Sequence, residues 1–293
     1  MRGLVGLLVG LLVGLLVGCG GIASDAPPTP ILPQSSPVVV ATPMVMDEAT
    51  AVPPPSATAA PTPIPDTGWQ PIQPGLEQRT IHLFNDEGVA RERLLLLRLE
   101  PEQFIFRVGY RPGAPQALPF WQAETGALLV VNGGYFTEEF LATGLIIVEG
   151  QASGVSYGDF AGMLAISEAG PEVRWLRERP FDPDEPLLYA LQSFPILVRP
   201  DGQPGFPEED GRPARRTAIG EDENGRLLFI FAPWGSLSLH QFSRYLAESD
   251  LDLRLAFNLD GGPSTGMILA GETPLEIPAF SALPVVITAH PRR

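Results

Sequence analysis

The chain of 293 residues contains no lysine; all 19 of its basic residues are arginine. That excludes a P-loop lysine, a Schiff-base lysine and a serine–lysine dyad. The one cysteine, Cys19, lies near the N-terminus, so disulfides and thiol catalysis have no place in the rest of the chain. The three histidines, His82, His240 and His290, are far apart and match no HExxH-like spacing. A zinc centre of the usual Cys/His kind is excluded with them. No metal or other cofactor is assigned, and only an oxygen-ligand divalent cation stays open. Positive charge is scarce as well. Acidic residues number 34, giving a formal net charge of −15, which argues against a nucleic-acid partner that needs a basic stripe. What remains is carboxylate, guanidinium, hydroxyl, amide and backbone chemistry.

Long apolar runs are confined to the start. Residues 1–19 read MRGLVGLLVGLLVGLLVGC, with Arg2 as a short positive lead and an apolar stretch of signal-peptide length behind it. The stretch ends in Leu16-Val17-Gly18-Cys19, which resembles a bacterial lipobox with Cys19 as the lipidated residue. The alternative is an uncleaved membrane helix with Gly6, Gly10, Gly14 and Gly18 at GxxxG spacing, at the short end for crossing a bilayer. The position of the sole cysteine favours a lipid-anchored protein of the cell envelope, facing away from the cytoplasm. Residues 20–65 carry twelve prolines and no aromatic or basic residue. Such a segment cannot bury enough apolar area to offset its ordering entropy. As an extended tether it reaches on the order of 100 Å. A single globular domain is expected over 66–293.

Within that domain short apolar runs alternate with turn signals. Strands are expected at 93–100 and 103–110, separated by Pro101, at 126–136 running into a glycine turn, and at 283–290. Hairpins are expected over 144–154, 162–176, 217–232 and 267–277, with tips at Glu149-Gly150, Ala169-Gly170, Asn224-Gly225 and Ala270-Gly271. Leu239, Phe242 and Leu246 fall on one helical face behind a Ser236 or Ser238 cap, and a shorter helix fits Gln116–Glu124. The expected class is α+β, with mixed or antiparallel sheets and a few packed helices.

Four glycine- or polar-rich segments follow apolar runs: Asn132-Gly133-Gly134-Tyr135-Phe136, Gln192-Ser193-Phe194-Pro195-Ile196-Leu197-Val198, Arg215-Arg216-Thr217-Ala218-Ile219-Gly220, and Asn258-Leu259-Asp260-Gly261-Gly262-Pro263-Ser264-Thr265. Each alone is open to an ordinary reading. Paired glycines serve turns, paired arginines serve a solvated face or ion pairs, and Asp260 is able to cap its own turn. Asn132 fits turn geometry equally well, and His240 fits a structural hydrogen bond. In this order, however, the four resemble the phosphodiester glycosidase family, over about Leu94 to Ile287, with Leu283-Pro284-Val285-Val286 matching its terminal Val-Pro strand. The sequence departs from the family pattern at Pro263, Thr265, Ser193-Phe194 and at Ser281 or Ala282, where an arginine is usual.

The resemblance implies hydrolysis of a sugar-1-phosphodiester, of the α-N-acetylglucosaminyl type, in an envelope or extracellular glycan. Such a bond expels a phosphate monoester that already carries charge, so a second, protonating carboxylate is less needed than in ordinary glycoside hydrolysis. Phosphate must be neutralised, a task suited to the planar fork of Arg216, with Arg215 beside it. A carboxylate near the anomeric carbon acts as base or nucleophile, and Asp260 is the candidate; Glu138 and Glu139 rank below it. Asn132 and Gln192 are the expected contacts to sugar hydroxyls or an acetamido group, and Tyr135 an apolar wall. Gly133, Gly134, Ser193, Thr217, Gly261, Gly262, Ser264 and Thr265 complete the expected substrate-binding set. A glycan-binding protein that keeps the pocket without turnover is the alternative. A metal-dependent phosphoesterase, which needs clustered ligands, is the weakest reading.

Overall fold

A computed structural model describes residues 64–292. The readings made for Cys19, for residues 1–19 and for 20–63 lie outside the described residues. In chain order the strands are β1 (Gln70–Gln73), β2 (Leu76–Phe84), β3 (Ala90–Leu99), β4 (Phe104–Tyr110), β5 (Leu129–Asn132) and β6 (Ile146–Val148). They continue with β7 (Gln151–Ser153), β8 (Gly162–Ser167), β9 (Gly170–Trp175), β10 (Tyr189–Ser193), β11 (Ile196–Val198) and β12 (Ala214–Asp222). The last are β13 (Leu227–Leu237), β14 (Leu253–Asn258), β15 (Met267–Leu269), β16 (Leu275–Ile277) and β17 (Val285–Pro291). Two α-helices accompany them, α1 (Leu118–Thr125) and α2 (Leu239–Glu248).

The strands form three sheets, ordered β1-β2-β3-β13-β12-β14-β11, β7-β6-β10-β8-β9 and β16-β15-β5-β17-β4. Their strand pairings are antiparallel. The α+β expectation therefore overstates the helices, and no parallel pairing makes the sheets mixed. The molecule is predominantly antiparallel β, with helices serving as covers.

The apolar pattern explains how the layers close. In β3, Leu95, Leu97 and Leu99 enter a central core, while Leu94 and Leu96 face the opposite way. In β13, Leu227, Phe229 and Phe231 point inward and Leu228, Ile230 and Ala232 outward. Both sets are buried because α2 covers the outer face with Leu239, Phe242 and Leu246. A strand buried on both faces reads as a continuous apolar run, which is why RLLLLRL carries no alternation. Each such side chain contributes about 2 kcal/mol through burial. Residues from all three sheets, such as Phe229, Leu164 and Ile287, share the central core. The third sheet is covered outside by α1, through Leu118 and Trp121 against Val130 and Val286.

The ends of α2 follow the expected chemistry. Ser238 caps it, accepting from the Gln241 N–H, and the Gln241 side chain returns a bond to the Ser238 N–H. Two features were not expected. The segment 192–198 spans two strands: Ser193 pairs with Gly162 in the second sheet, and Ile196 pairs with Phe257 in the first. Pro195 has no N–H for a ladder, and the chain changes sheets there. Strands β1 and β2 were not expected, because their residues alternate weakly and carry charge on the half-covered edge of the sheet.

Candidate active site

The four segments singled out in the sequence meet at one end of the first sheet. Strands β12 and β14 pair with Ala218 opposite Asn258. The ladder continues past the strand end, where the Leu259 N–H donates to the Thr217 carbonyl at 2.9 Å. Beyond it, a Cβ on Gly261 would stand 2.8 Å from the Arg215 carbonyl oxygen. These two contacts bracket Asp260 and place it opposite Arg216. With a period of two, Arg216, Ala218, Asn258 and Asp260 belong to the same face.

The end of β5 fastens this loop. The Asp260 N–H donates to the Gly133 carbonyl at 3.0 Å, and the Asn132 Nδ2 donates to the Asp260 carbonyl at 2.8 Å. Asn132 Oδ1 accepts from Thr217 Oγ1 at 2.9 Å and from the Gly266 N–H at 3.1 Å, and Thr217 Oγ1 also reaches Thr265 Oγ1 at 3.2 Å. Asn132, Thr217 and Thr265 are fully buried. They were expected to touch substrate; instead they hold the Asp260 loop. Gln192 is likewise turned inward, its Oε1 accepting from the Tyr157 N–H at 2.8 Å and its Nε2 donating to Ser156 Oγ. Ser193 is buried, and its hydroxyl has no partner among the described residues. Gly133 and Gly134 are sites of close approach: Cβ atoms there would stand 2.9 Å from the Val285 and Gln192 carbonyl oxygens, respectively. Ser264 is buried and bonded to Ser281.

What faces outward is a smaller set: Tyr135, Arg216, Asp260, Gly261 and Gly262, each half-buried. Burial pushes the Asp260 carboxyl up to about 6, opposed by the Ser264 hydroxyl and by the Gly261 N–H, which donates to Oδ1 at 2.8 Å. The bond to Gly261 is the local capping contact that the sequence left open, and it coexists with the raised carboxyl. Arg216 donates Nη2 to the Arg212 carbonyl at 2.6 Å and Nε to the Leu237 carbonyl at 3.3 Å. Burial lowers its guanidinium from the usual value, and Tyr135 and Asp210 act in the other direction. Among the described residues neither Arg215 nor Arg216 enters an ion pair with a carboxylate, despite the acidic surroundings. Arg215 is engaged by the Pro233 and Pro278 carbonyls and stacks on Phe280, 4.4 Å from its ring centroid.

Tyr135 links the two charges. Burial, and then the nearby Asp260 carboxyl, push its hydroxyl up to about 12, while Arg216 and the bond from Asn258 pull it down. Asn258, the first residue of the fourth segment but not among the expected site residues, donates Nδ2 to the Tyr135 hydroxyl at 2.6 Å and to the Phe194 carbonyl at 3.3 Å. Its position two residues before Asp260 was the signal that placed it on this face. His240 donates its Nδ1–H to the Phe206 carbonyl at 3.1 Å, a structural contact.

A concavity of about 790 Å³ opens elsewhere, beside Gln73, Glu77, Arg98 and Gln103. Its main charges, Arg98 and Glu77, neutralise each other at 2.6 Å. The Asp260 face instead carries a carboxyl raised by burial and a guanidinium in no ion pair among the described residues.

A family model described as phosphodiester glycosidase matches residues 125–287. Among solved structures the chain is similar to the catalytic domain of zebrafish N-acetylglucosamine-1-phosphodiester alpha-N-acetylglucosaminidase, auto-inhibited by its pro-peptide. The identity is 20% and the TM-score 0.59, over 76% of this chain and 86% of that one. It is also similar to a hypothetical protein from Synechocystis, at 14% identity and a TM-score of 0.52, over 75% of this chain and 62% of the other. No curated protein matches the chain.

Proposed function

The chain belongs to the phosphodiester glycosidase family, and from that premise we propose that it hydrolyses sugar-1-phosphodiester linkages at the Asp260–Arg216 face. One arrangement carries the reading: a carboxyl raised to about 6 lies across the β12–β14 register from Arg216, whose guanidinium enters no ion pair among the described residues. An empty ion pair of this kind suits a ligand that is itself anionic and places an electrophilic carbon next to its charge.

In the proposed reaction Arg216 binds the phosphate and stabilises the charge that grows on it as the C1–O bond breaks. Asp260, ionised at neutral pH yet more basic than a solvent-exposed carboxylate, either takes a proton from the water that attacks the anomeric carbon or attacks that carbon itself, the glycosyl ester then being cleaved by water. The phosphate monoester leaves without needing a proton. Tyr135 remains a neutral hydroxyl at neutral pH, raised to about 12, and offers a wall and a hydrogen bond between the two charges. Asn132, Thr217 and Thr265 are positioning residues. No cofactor forms part of the proposal. Lipid attachment at Cys19 and the 20–65 tether would set this domain in the cell envelope, with an extracellular or envelope glycan as substrate. No helix among the described residues is long and apolar enough to cross a membrane.

The test is release of free sugar from UDP-N-acetylglucosamine, a convenient α-N-acetylglucosaminyl phosphodiester, by the full-length protein. The wild type is expected to release sugar, and Arg216→Ala to lose about 100- to 1,000-fold in rate. Binding of the phosphodiester with no release would instead support the glycan-binding reading.

A further inference from the structure

Strand order sets a direction across the site. The first sheet runs β12-β14-β11, so Arg216 stands on one flank of Asp260 and the Phe194–Pro195 crossing on the other. The Asn258 N–H donates to the Pro195 carbonyl at 2.9 Å, which ties that crossing to β14. Two strand spacings separate the flanks, a span on the order of 10 Å, which suits one pyranose ring joined to its phosphate. With phosphate at Arg216, the sugar ring falls on the Phe194 side.

That side is aromatic and rigid. The Phe194 ring lies 4.8 Å from Tyr135, 5.2 Å from Tyr157 and 5.5 Å from Phe160, centroid to centroid. Tyr157 is fixed at three points. Its N–H donates to Gln192 Oε1 at 2.8 Å, its hydroxyl bonds Thr143 Oγ1, and its ring lies against Gly144, where a Cβ would stand 2.5 Å away. Phe194 itself is half-buried, and Phe160 is 49% exposed. The buried Gln192 thus has a use: it holds the loop that braces Phe194.

We propose that Phe194, backed by Tyr157 and Phe160, is the specificity-determining residue for the sugar, stacking the apolar C–H face of the pyranose ring beside Tyr135. The C–H hydrogens carry slight positive charge and the ring face is negative, so stacking selects a ring with an unbroken axial C–H face. Placing the phosphate at Arg216 rests on the proposed hydrolase reading; the affinity measurement separates the two.

The experiment measures calorimetric affinity of the full-length protein for two probes, α-N-acetylglucosamine-1-phosphate and inorganic phosphate. Wild type is expected to prefer the sugar phosphate at least tenfold. Phe194→Leu, which keeps apolar bulk without a π face, is expected to lose that preference with unchanged phosphate affinity. Phe194→Tyr is expected to retain it. An equal preference in Phe194→Leu and wild type, or no preference in wild type, overturns the stacking role. A Phe194-dependent preference without any sugar release would overturn the hydrolase reading and leave the subsite standing. Sugar release with a Phe194-independent preference would do the reverse.

Discussion

Asp260 concentrates the account at the level of one residue. Its carboxyl is held near 6 by burial, against an ordinary 3.8. A carboxyl whose native value lies above its unfolded value binds its proton more tightly when folded. Its contribution is therefore most favourable below about pH 4, declines as pH rises from about 4 to about 6, and is level above that. The rise corresponds to about 3 kcal/mol at neutral pH. Asp260→Asn removes the ionisation and is expected to unfold at higher denaturant than wild type at pH 7, with the two converging at pH 4. Parallel stability curves for wild type and variant across that range would remove burial as the cause of the shift. Such a cost at one residue is accounted for by the proposed role of Asp260 in the reaction, since the fold alone is better served by an amide.

At the level of elements, the two glycines after Asp260 divide the labour. Gly262 has φ of +56° and open space around it, so it is needed for conformation. Gly261 has ordinary extended backbone, with φ of −121°, and is needed for space, because a Cβ would meet the Arg215 carbonyl. Gly262→Ala is expected to cost about 1 to 2 kcal/mol, the usual left-handed penalty. Gly261→Ala is expected to cost at least as much, by 1 to 3 kcal/mol of overpacking, and to abolish activity by separating Asp260 from Arg216. Equal activity in the two variants, measured where both are folded, would contradict the register drawn across β12 and β14. The hairpin elements were legible from sequence because their signals are local: Gly170, Gly225 and Gly271 all adopt positive φ at their tips. Sheet membership was not. Strand β3 pairs with β13, with Leu99 opposite Leu227, and no short-range pattern reports such a partner.

The site was legible in part for the same reason. The motifs that meet around Asp260 were visible as segments, and Asp260, Arg216 and Tyr135 do share a face. Which members of each segment face inward depends on the alternation along each strand. Thr217 follows Arg216 and so points to the opposite side, where it joins Asn132 and Thr265 in a buried network. That alternation was available in the sequence. The aromatic support of Phe194 was not, because Tyr157 and Phe160 come from the β7–β8 loop, more than 30 residues earlier in the chain.

On the scale of the molecule, three sheets close on one core, and their covers leave one end of the first sheet free. The ends of β5, β10, β12 and β14 converge there, each contributing one of the segments described. Arg216 lies in β12 and Asp260 just past the end of β14, where the Leu259–Thr217 bond and the Asp260–Gly133 bond fix its place relative to the ladder. A site built on a rigid ladder holds opposite charges apart until a ligand fills the gap. The scarcity of positive charge elsewhere on a chain of formal charge −15 sharpens that focus.

The most direct measurement is the pH dependence of kcat/KM for sugar release by the full-length protein. The expected profile rises with pH through an apparent value of about 6 and is level above it, with Asp260→Asn lacking that limb and most of the activity. A rate independent of pH between 5 and 8, or the same limb persisting in Asp260→Asn, would contradict the assignment of Asp260 as the reacting carboxylate.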